Sequence, residues 1–431
     1  MKYQEAWQFL DNLQFFKIKL GLESMTMFME RLGSPERGVS SIHIAGTNGK
    51  GSVAATTLAI LDRAGFSVGV YTSPHLISVR ERFRINDEYI AEEDFARLAT
   101  QIVAVLNGDQ ITYFEFTTAL AFLWFAERKV DCAIIETGLG GRLDATNIIR
   151  PRVSIITNIA MDHEAYLGTT LAEIAAEKAG IIKAGVPVVS GASGPSVAEV
   201  ILQVAQKVES PLYLQGRDFR MTRTPEDVLG YQGIGGKFSD LKLGLRGSYQ
   251  VDNTALALAG IELWLGLERR LDPDVVREGL LAVRWPGRLE FFSALNFQGR
   301  SRAVLFDGAH NPAGVDALCE ALRSDFHYHR VIMVWASMGD KDFQTCVRKI
   351  APLCSRIIFT RPETLRSATP EQLVHALPED LRSVCVSSSS VEDALEQAYA
   401  LAEADDLICI AGSLYLIGRA RSVLVGGLVG D

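Results

Sequence analysis

A chain of 431 residues, 48% hydrophobic and 22% charged, is long enough for two folded cores and has an ordinary globular composition. Its net charge of −9 argues against general nucleic-acid binding, which needs a basic footprint, and implies that an anionic substrate would meet a locally basic cleft. Six cysteines without a CxxC pair, no signal-type apolar segment and no run of membrane-span length predict a cytoplasmic protein with reduced thiols, and no membrane partner.

Trp7, Leu10 and Leu13, then Met25, Phe28, Met29 and Leu32, recur at helical spacing and predict two helices over residues 3–31, with Phe15, Phe16 and Leu20 between them. The methionine stripe reads as packing. An apolar run from Val39 to Ala45 predicts a buried strand, followed by Gly46, Thr47, Asn48, Gly49, Lys50, Gly51 and Ser52, and then by a helical pattern through Val53, Leu58 and Leu61. A strand, a glycine turn carrying one lysine and a helix form the context of a phosphate-binding loop. Glycines let backbone N–H groups converge on phosphate oxygens, and the helix N-terminus adds a positive dipole end. The common loop has Ser or Thr directly after its lysine. Here Gly51 intervenes, which leaves open which hydroxyl would meet a magnesium ion.

Residues 67–71 read as the next parallel strand, and Ser73 and His75 lie just past its end, where open α/β sheets bind ligands. Arg80, Arg82 and Arg84 alternate with Val79, Phe83 and Ile85 and predict a short hairpin strand. Residues 91–107 and 117–128 read as helices, and 131–136 as an apolar strand ending in Glu136 before Gly138, Gly140 and Gly141. A carboxylate facing bound phosphate is costly unless a cation sits between them, so Glu136 is a candidate metal or water ligand. Residues 153–158 form a strand that ends near Asp162 and His163. A helix over 171–179 carries Lys178, and 186–190 is again a strand. This alternation predicts a parallel sheet with helices on both faces. The segment 205–250 is richer in Gly and Thr and reads as a small antiparallel sheet.

Residues 250–267 predict a helix with Asn253 in its first turn, and 272–283 another. Pro286 and Gly287 stop the pattern after Trp285 and place a domain boundary at 290, giving domains of 1–290 and 291–431 with Arg288 at the hinge. From 301 the alternation restarts. Strands are expected at 303–306, 331–335, 356–359, 383–386 and 407–411, and helices at 315–322, 340–351, 370–377 and 391–403, with a final helix after 411. Asp307 and His310 follow the first of these strands. No GxGxxG follows it, so a dinucleotide site is not indicated.

As a set, AGTNGKGS at 45–52, TSPHL at 72–76, ETGLGGRLDATN at 136–147, DHEAYLG at 162–168, EKAGIIK at 177–183, NTALALAG at 253–260, WPGRLE at 285–290 and DGAHNP at 307–312 resemble the folylpolyglutamate synthase and dihydrofolate synthase family of the Mur-ligase superfamily. The motifs stand in family order and cover most of the chain. The resemblance implies an α/β architecture: an N-terminal Mur-ligase-like P-loop ATPase domain with a central, mostly parallel sheet and a small antiparallel sheet, then a C-terminal Rossmann-like domain. It also implies an ATP-dependent carboxylate–amine ligase that adds L-glutamate to dihydropteroate, to the glutamate tail of tetrahydrofolate, or to both as in the bacterial bifunctional type, through an acyl phosphate. The alternatives are a monofunctional folylpolyglutamate synthase or another Mur-type amino-acid ligase. An ATP-binding switch without bond-forming activity would need fewer groups than this chain carries.

Position by position, the resemblance implies that Thr47, Asn48, Gly49, Lys50, Gly51, Ser52, Asn253, Arg288, Asp307 and His310 meet ATP. Ser73, Glu136 and His163 would hold magnesium, with Lys178 joining them as a carbamate. Lys50, Lys178 and His163 would serve catalysis, and Arg82, Thr112, Phe114 and Asp144 would hold the folate. Read alone, Lys178 would be a helix C-terminal cation and His163 a loop or capping residue. A nitrogen donor is unusual for magnesium, so manganese could substitute. The expected partners are small molecules acting on a monomer. The chain departs from the family at Tyr249, where many relatives have histidine, and at Met25, Met27 and Met29.

Overall fold

The computed structural model describes residues 1–13, 21–224, 228–362 and 366–427; Phe15, Phe16 and Leu20 lie outside them. The chain opens with α1 (Tyr3–Asn12) and α2 (Glu23–Arg31). Met25 and Met29 are buried in the core, as packing methionines should be, but Met27 is 55% exposed and is not part of that stripe. An eight-stranded sheet follows, with β1 (Ser41–Ala45), β2 (Val68–Tyr71), β3 (Phe83–Ile85), β4 (Glu88–Tyr89), β5 (Cys132–Glu136), β6 (Val153–Ile156), β7 (Val188–Ser190) and β8 (Leu212–Leu214) in the spatial order β4-β3-β2-β5-β1-β6-β7-β8. All pairings are parallel except those of β3 and β4 at one edge. Its central strands are buried along their whole length, as expected for a parallel sheet covered on both faces.

The crossovers supply the covering helices: α3 (Lys50–Arg63), α4 (Glu92–Leu106), α5 (Tyr113–Arg128), α6 (Glu164–Leu167), α7 (Leu171–Ala179) and α8 (Pro195–Lys207). α1, α2, α4 and α5 pack on one face around Phe95, Phe116, Phe122 and Phe125. α3, α9 (Tyr249–Leu265) and α10 (Pro273–Ala282) cover the other around Leu58, Leu256 and Trp264. α5 begins earlier than its apolar pattern suggests, because Thr112 caps it: its hydroxyl accepts from Glu115 N at 3.2 Å while Glu115 accepts from Thr112 N at 2.9 Å.

Three expectations for this lobe need correction. Arg80 and Arg82 lie in a 3₁₀ turn, Val79–Arg82, and only Phe83–Ile85 is strand; Glu81 accepts from the N–H groups of Leu76, Ile77 and Ser78 and so holds the turn closed. The helix α8 has no counterpart in the sequence reading. Within 205–250 only β9 (Arg220–Arg223), β10 (Leu229–Gln232) and β11 (Lys237–Leu241) form the antiparallel sheet, since β8 pairs in parallel with β7 in the main sheet.

The second sheet has six strands in the order β12-β13-β17-β14-β15-β16. Its elements run β12 (Glu290–Phe297), β13 (Arg300–Asp307), α11 (Pro312–Ser324), β14 (Val331–Trp335), α12 (Phe343–Ile350), β15 (Arg356–Phe359), α13 (Pro370–Ala376), β16 (Cys385–Ser387), α14 (Val391–Leu401), β17 (Leu407–Ala411) and α15 (Leu414–Leu424). β12 is antiparallel to β13, a hairpin that the sequence reading missed by starting the first strand at 303. Residues Glu379–Val384 are 3₁₀ helix, so the expected strand at 383–386 shifts to Cys385–Ser387. Among the described residues no helix is long and apolar enough to cross a membrane.

Candidate active site

The carboxyl ends of the two sheets face each other across a seam, and the loops at those ends carry the chemistry. The loop after β1 is pinned from β6: Thr47 N donates to Asn158 O at 2.9 Å, Asn48 N to Asn158 Oδ1 at 2.8 Å, and Thr157 Oγ1 to Asn48 O at 2.6 Å. Gly49, at φ 87°, begins α3 in a conformation that disfavours a side chain, and Asn253 of α9 packs where its Cβ would be. Gly51 explains the departure from the common loop. A Cβ there would come within 2.7 Å of the Trp285 ring, so the linker indole occupies the space that a Ser or Thr would need. Ser52 is buried and accepts from Gln250 Nε2 at 3.2 Å; Gln250 in turn accepts from Asn253 Nδ2 at 3.0 Å. α9 therefore braces the loop from behind.

Two lysines converge on one carbonyl. Lys50 Nζ donates to Gly46 O at 3.1 Å and Thr47 O at 3.3 Å, and Lys178 Nζ, from the last turn of α7, donates to Gly46 O at 2.9 Å. Lys178 is 4% exposed; burial, reinforced by Lys50, pulls its ammonium down to about 7. Glu136, 4% exposed at the end of β5, lies 3.8 Å from Lys50 Nζ through Oε1 and accepts from Ser73 N at 3.2 Å through Oε2. Burial raises its carboxyl above the usual range, and Lys50 opposes that. A desolvated carboxylate with one backbone donor keeps spare acceptor capacity.

Ser73, His75, Glu136, Trp285 and Arg288 line one cleft with Leu414 of the second lobe. His75 accepts from Arg82 Nε at 3.0 Å, and burial beside that guanidinium keeps its imidazole neutral, down to about 3. Arg288 packs where a Cβ on Gly308 would stand. Asp307 is buried and accepts from Leu289 N and Ala309 N, each at 2.9 Å, so in this structure it fastens the hinge to the end of β13 beside Arg288.

The folate candidates cluster on the outer side. Phe114 packs against Gly138, where a Cβ would lie 2.5 Å from the ring, and against Tyr71. The Arg82 guanidinium lies 5.2 Å from the Tyr113 ring centroid. Asp144 accepts from Gly138 N and Leu139 N through Oδ2 and from Thr146 N and Oγ1 through Oδ1. Thr112 serves as the α5 cap. Arg80 and Arg84 pair with Glu92 and Asp87.

Several residues at the seam were not singled out by the sequence reading. Asp162, at the end of the β6 loop, accepts from Lys341 Nζ at 2.5 Å and Asn311 Nδ2 at 3.2 Å. Burial alone would raise its carboxyl, but Lys341, His163 and His310 hold it well below the usual carboxylate range. Asn311 Nδ2 also donates to Asn48 Oδ1 at 3.0 Å, joining α11 to the phosphate loop. His163 Nε2 lies 2.9 Å from Lys341 Nζ. His310 bonds Gly308 O at 2.7 Å through Nδ1 and stays neutral, lowered to about 4 by burial and Lys341. The hydroxyls of Thr360 and Ser413, past the ends of β15 and β17, are buried without a partner. For Ser413 the signal available was position alone, just beyond an apolar strand, whereas Lys341 lies further past β14 in a polar turn.

Among the described residues no three His, Cys, Asp or Glu side chains converge as a self-sufficient metal site. That donor set still fits a magnesium ion carried with a nucleotide. Magnesium keeps waters and phosphate oxygens and takes one or two protein carboxylates, and the spare capacity of Glu136 beside Ser73 supplies such a ligand.

Two family models match: the Mur ligase middle domain over residues 44–261 and the Mur ligase glutamate ligase domain over 287–414. A dihydrofolate synthase/folylpolyglutamate synthase of Bacillus subtilis strain 168 is 34% identical, covering 98% of this chain and 99% of that protein. The solved Mycobacterium tuberculosis folylpolyglutamate synthase complexed with ADP superposes with a TM-score of 0.90 at 34% identity, over 99% of this chain and 98% of that one. A bifunctional folylpolyglutamate synthase/dihydrofolate synthase from Yersinia pestis, complexed with AMPPNP and Mn, gives a TM-score of 0.85 at 31% identity over 98% of each chain.

Proposed function

Because the chain belongs to the folylpolyglutamate synthase/dihydrofolate synthase family of the Mur ligase superfamily, and is an ATP-dependent ligase joining glutamate to folate-type substrates, we propose that it runs both family reactions, on dihydropteroate and on tetrahydrofolate. The observation that carries the choice is Arg82. It is buried, its Nε donates to His75 Nδ1, and its guanidinium carbon lies 5.2 Å from the Tyr113 ring centroid in the folate cluster. Dihydropteroate brings only the reacting carboxylate, whereas tetrahydrofolate brings a second one. A guanidinium at that place can meet the second charge without excluding the smaller substrate.

In the proposed reaction the substrate carboxylate attacks the γ-phosphorus, ADP leaves, and the neutral amine of glutamate then displaces phosphate from the acyl phosphate. The carboxylate is already ionised at neutral pH and needs no base in the first step. Lys50 and Arg288 neutralise charge on the transferring phosphoryl group, and exclusion of water between the lobes strengthens both contacts. Asn253 and the glycines of the loop place the nucleotide. Magnesium, held by Ser73, Glu136, His163 and a carbamate on Lys178, would supply further charge neutralisation. The lowered basicity of buried Lys178 supports that carbamate, since only an uncharged amine can add to CO2. Thr360 and Ser413, with buried free hydroxyls at the opposing edge, suit the carboxylates of the incoming glutamate. Phe114 offers a face to the pterin ring. Thr112 and Asp144, expected as polar contacts, are engaged within the protein, Thr112 as the α5 cap and Asp144 on Gly138, Leu139 and Thr146, so they shape the pocket wall.

The test uses purified protein with ATP, magnesium and labelled glutamate, with dihydropteroate in one reaction and tetrahydrofolate in another. Product in both is expected. Product with tetrahydrofolate alone would make the enzyme a monofunctional polyglutamylating ligase, and product in neither, with ATP binding intact, would move it to another Mur-type substrate.

A further inference from the structure

Lys341 sits in the turn between β14 and α12, on the second lobe, yet both its partners belong to the first. Its ammonium lies 2.5 Å from Asp162 Oδ1 and 2.9 Å from His163 Nε2, and its side chain is only 11% exposed. An ammonium has hydrogens to donate and no lone pair. Its contact with His163 therefore makes Nε2 the acceptor and occupies the Nε2 lone pair. A metal ion needs that same lone pair. Lysine and metal cannot hold this nitrogen together.

The two lysines of the first lobe, Lys50 and Lys178, are engaged on Gly46 O. Lys341 thus reaches His163 from across the seam, at a junction where Asn311 also bonds Asp162 and Asn48.

We propose that Lys341 is a positioning residue for the ligase reaction. It is a resident cation that holds His163 and Asp162 in place while the site is empty and gives up Nε2 when a metal–nucleotide complex enters, keeping Asp162 as its partner. The proposal rests on the reading of His163 as a metal ligand. Its consequence is an antagonism between one lobe contact and metal loading. Whatever fraction of molecules holds Lys341 on Nε2 is unable to take the metal there, and the apparent affinity falls by the competent fraction. The coupling is reciprocal, so metal loading weakens this contact across the seam by the same factor.

The test is Mn2+ binding to protein saturated with AMPPNP, followed by the paramagnetic resonance of free Mn2+, in wild type and in Lys341→Met, Lys341→Gln and His163→Ala. Both lysine variants should bind Mn2+ more tightly, by about tenfold if nine molecules in ten are latched, and His163→Ala should bind it more weakly. Unchanged or weaker binding in the lysine variants, with binding weakened in His163→Ala, would overturn the competition. Unchanged binding in His163→Ala would instead remove the ligand reading beneath it. Loss of a nearby positive charge could tighten binding without direct contact, so a second measurement is needed. In metal-free protein with 15N-labelled histidine, the Nε2 resonance of His163 should move between wild type and Lys341→Met; an unmoved resonance overturns the proposal. Should the variants not fold, a crystal structure of the wild-type Mn2+–AMPPNP complex decides. Lys341 must stand away from Nε2 there, and Lys341 still bonded to Nε2 would defeat the idea.

Discussion

The first lobe brings two lysines and a buried carboxylate with spare acceptor capacity to its strand ends, whereas the second brings hydroxyls, an amide and a neutral imidazole beside two charges already engaged, Lys341 on Asp162 and Asp307 on the backbone of Leu289 and Ala309. On the first side the charges are desolvated and poorly paired. Lys50 and Lys178 share a single carbonyl, and Glu136 has one backbone donor. Desolvated like charges side by side are unfavourable unless an ion of opposite sign completes them, which supports the proposal that this edge receives a polyanion. On the second side the unsatisfied groups are neutral. The Ser413 and Thr360 hydroxyls cost little to bury compared with a charge, and they suit a ligand recognised by hydrogen-bond geometry. The contrast supports the proposed reading in which phosphoryl transfer belongs to one edge and placement of the amine donor to the other.

Removing charge from the first edge should therefore cost the most turnover. Lys178→Ala is expected to lower kcat by about 10³-fold, as for loss of a strong electrostatic stabiliser, with partial recovery when a short carboxylate such as acetate is added. A variant that keeps near-normal turnover would show that the carbamate is not needed. Lys50→Ala should cost about 10²-fold in kcat. Steady-state ADP release within a few-fold of wild type would break the assignment of this edge to phosphate. An intermediate effect is expected on the other side. Ser413→Ala should raise the KM for glutamate by about tenfold, the scale of one hydrogen bond to a charged group, while leaving the KM for ATP near its original value. A larger change for ATP than for glutamate would reverse the comparison.

The architecture was legible in the sequence because a parallel sheet covered on both faces needs predominantly apolar strands, and β1, β5, β6, β14 and β17 are that and are buried throughout. Edge elements were less legible. β12 carries Phe291 and Phe292 beside Glu290, Ser293 and Asn296, a mixed pattern that suits an antiparallel edge but reads as linker next to Pro286 and Gly287. Arg80 and Arg82 alternate like a strand, yet the capping box of Ser78 and Glu81 winds them into a turn. In the site, Lys50, Ser73 and Glu136 were legible because Glu136 ends β5, Ser73 lies just past β2, and Lys50 sits where the glycine loop after β1 opens α3. Lys341 was not. It lies in Gly339–Asp342, a polar turn whose charges read as solvated loop, and its meaning comes only from the opposing lobe. Ser413 resembles any helix-preceding serine, and only the absence of a partner for its buried hydroxyl marks it.

The smallest expected effect comes from the amino ends of the strands of the second sheet, where Asp406 precedes the central strand β17, away from the seam, and serves as the control for the whole comparison. Asp406 is 1% exposed and fully engaged: Arg330 donates to it through Nε at 3.1 Å and through a terminal nitrogen at 2.6 Å, and Glu403 N donates at 2.8 Å. The bonds from Arg330 hold its carboxyl below the usual carboxylate range. A depressed folded-state pKa means that the folded form favours the ionised group. The resulting stability is complete above the unfolded value near 4 and is lost as pH falls through the lower folded value. Because every acceptor is already served within the protein, this carboxylate stabilises the fold and leaves catalysis alone. Asp406→Asn should lower stability at pH 7 by about 1–2 kcal/mol, within the range for hydrogen bonds to a charged group whose partner is partly solvated. Urea unfolding should show the gap closing as pH falls below about 4, while kcat at pH 7 stays within a few-fold of wild type. A gap that widens in acid would reverse the sign of the ion pair. A large loss of kcat in folded protein would mean that the amino ends of these strands communicate with the seam, and that the division of labour between the two strand-end surfaces is not local.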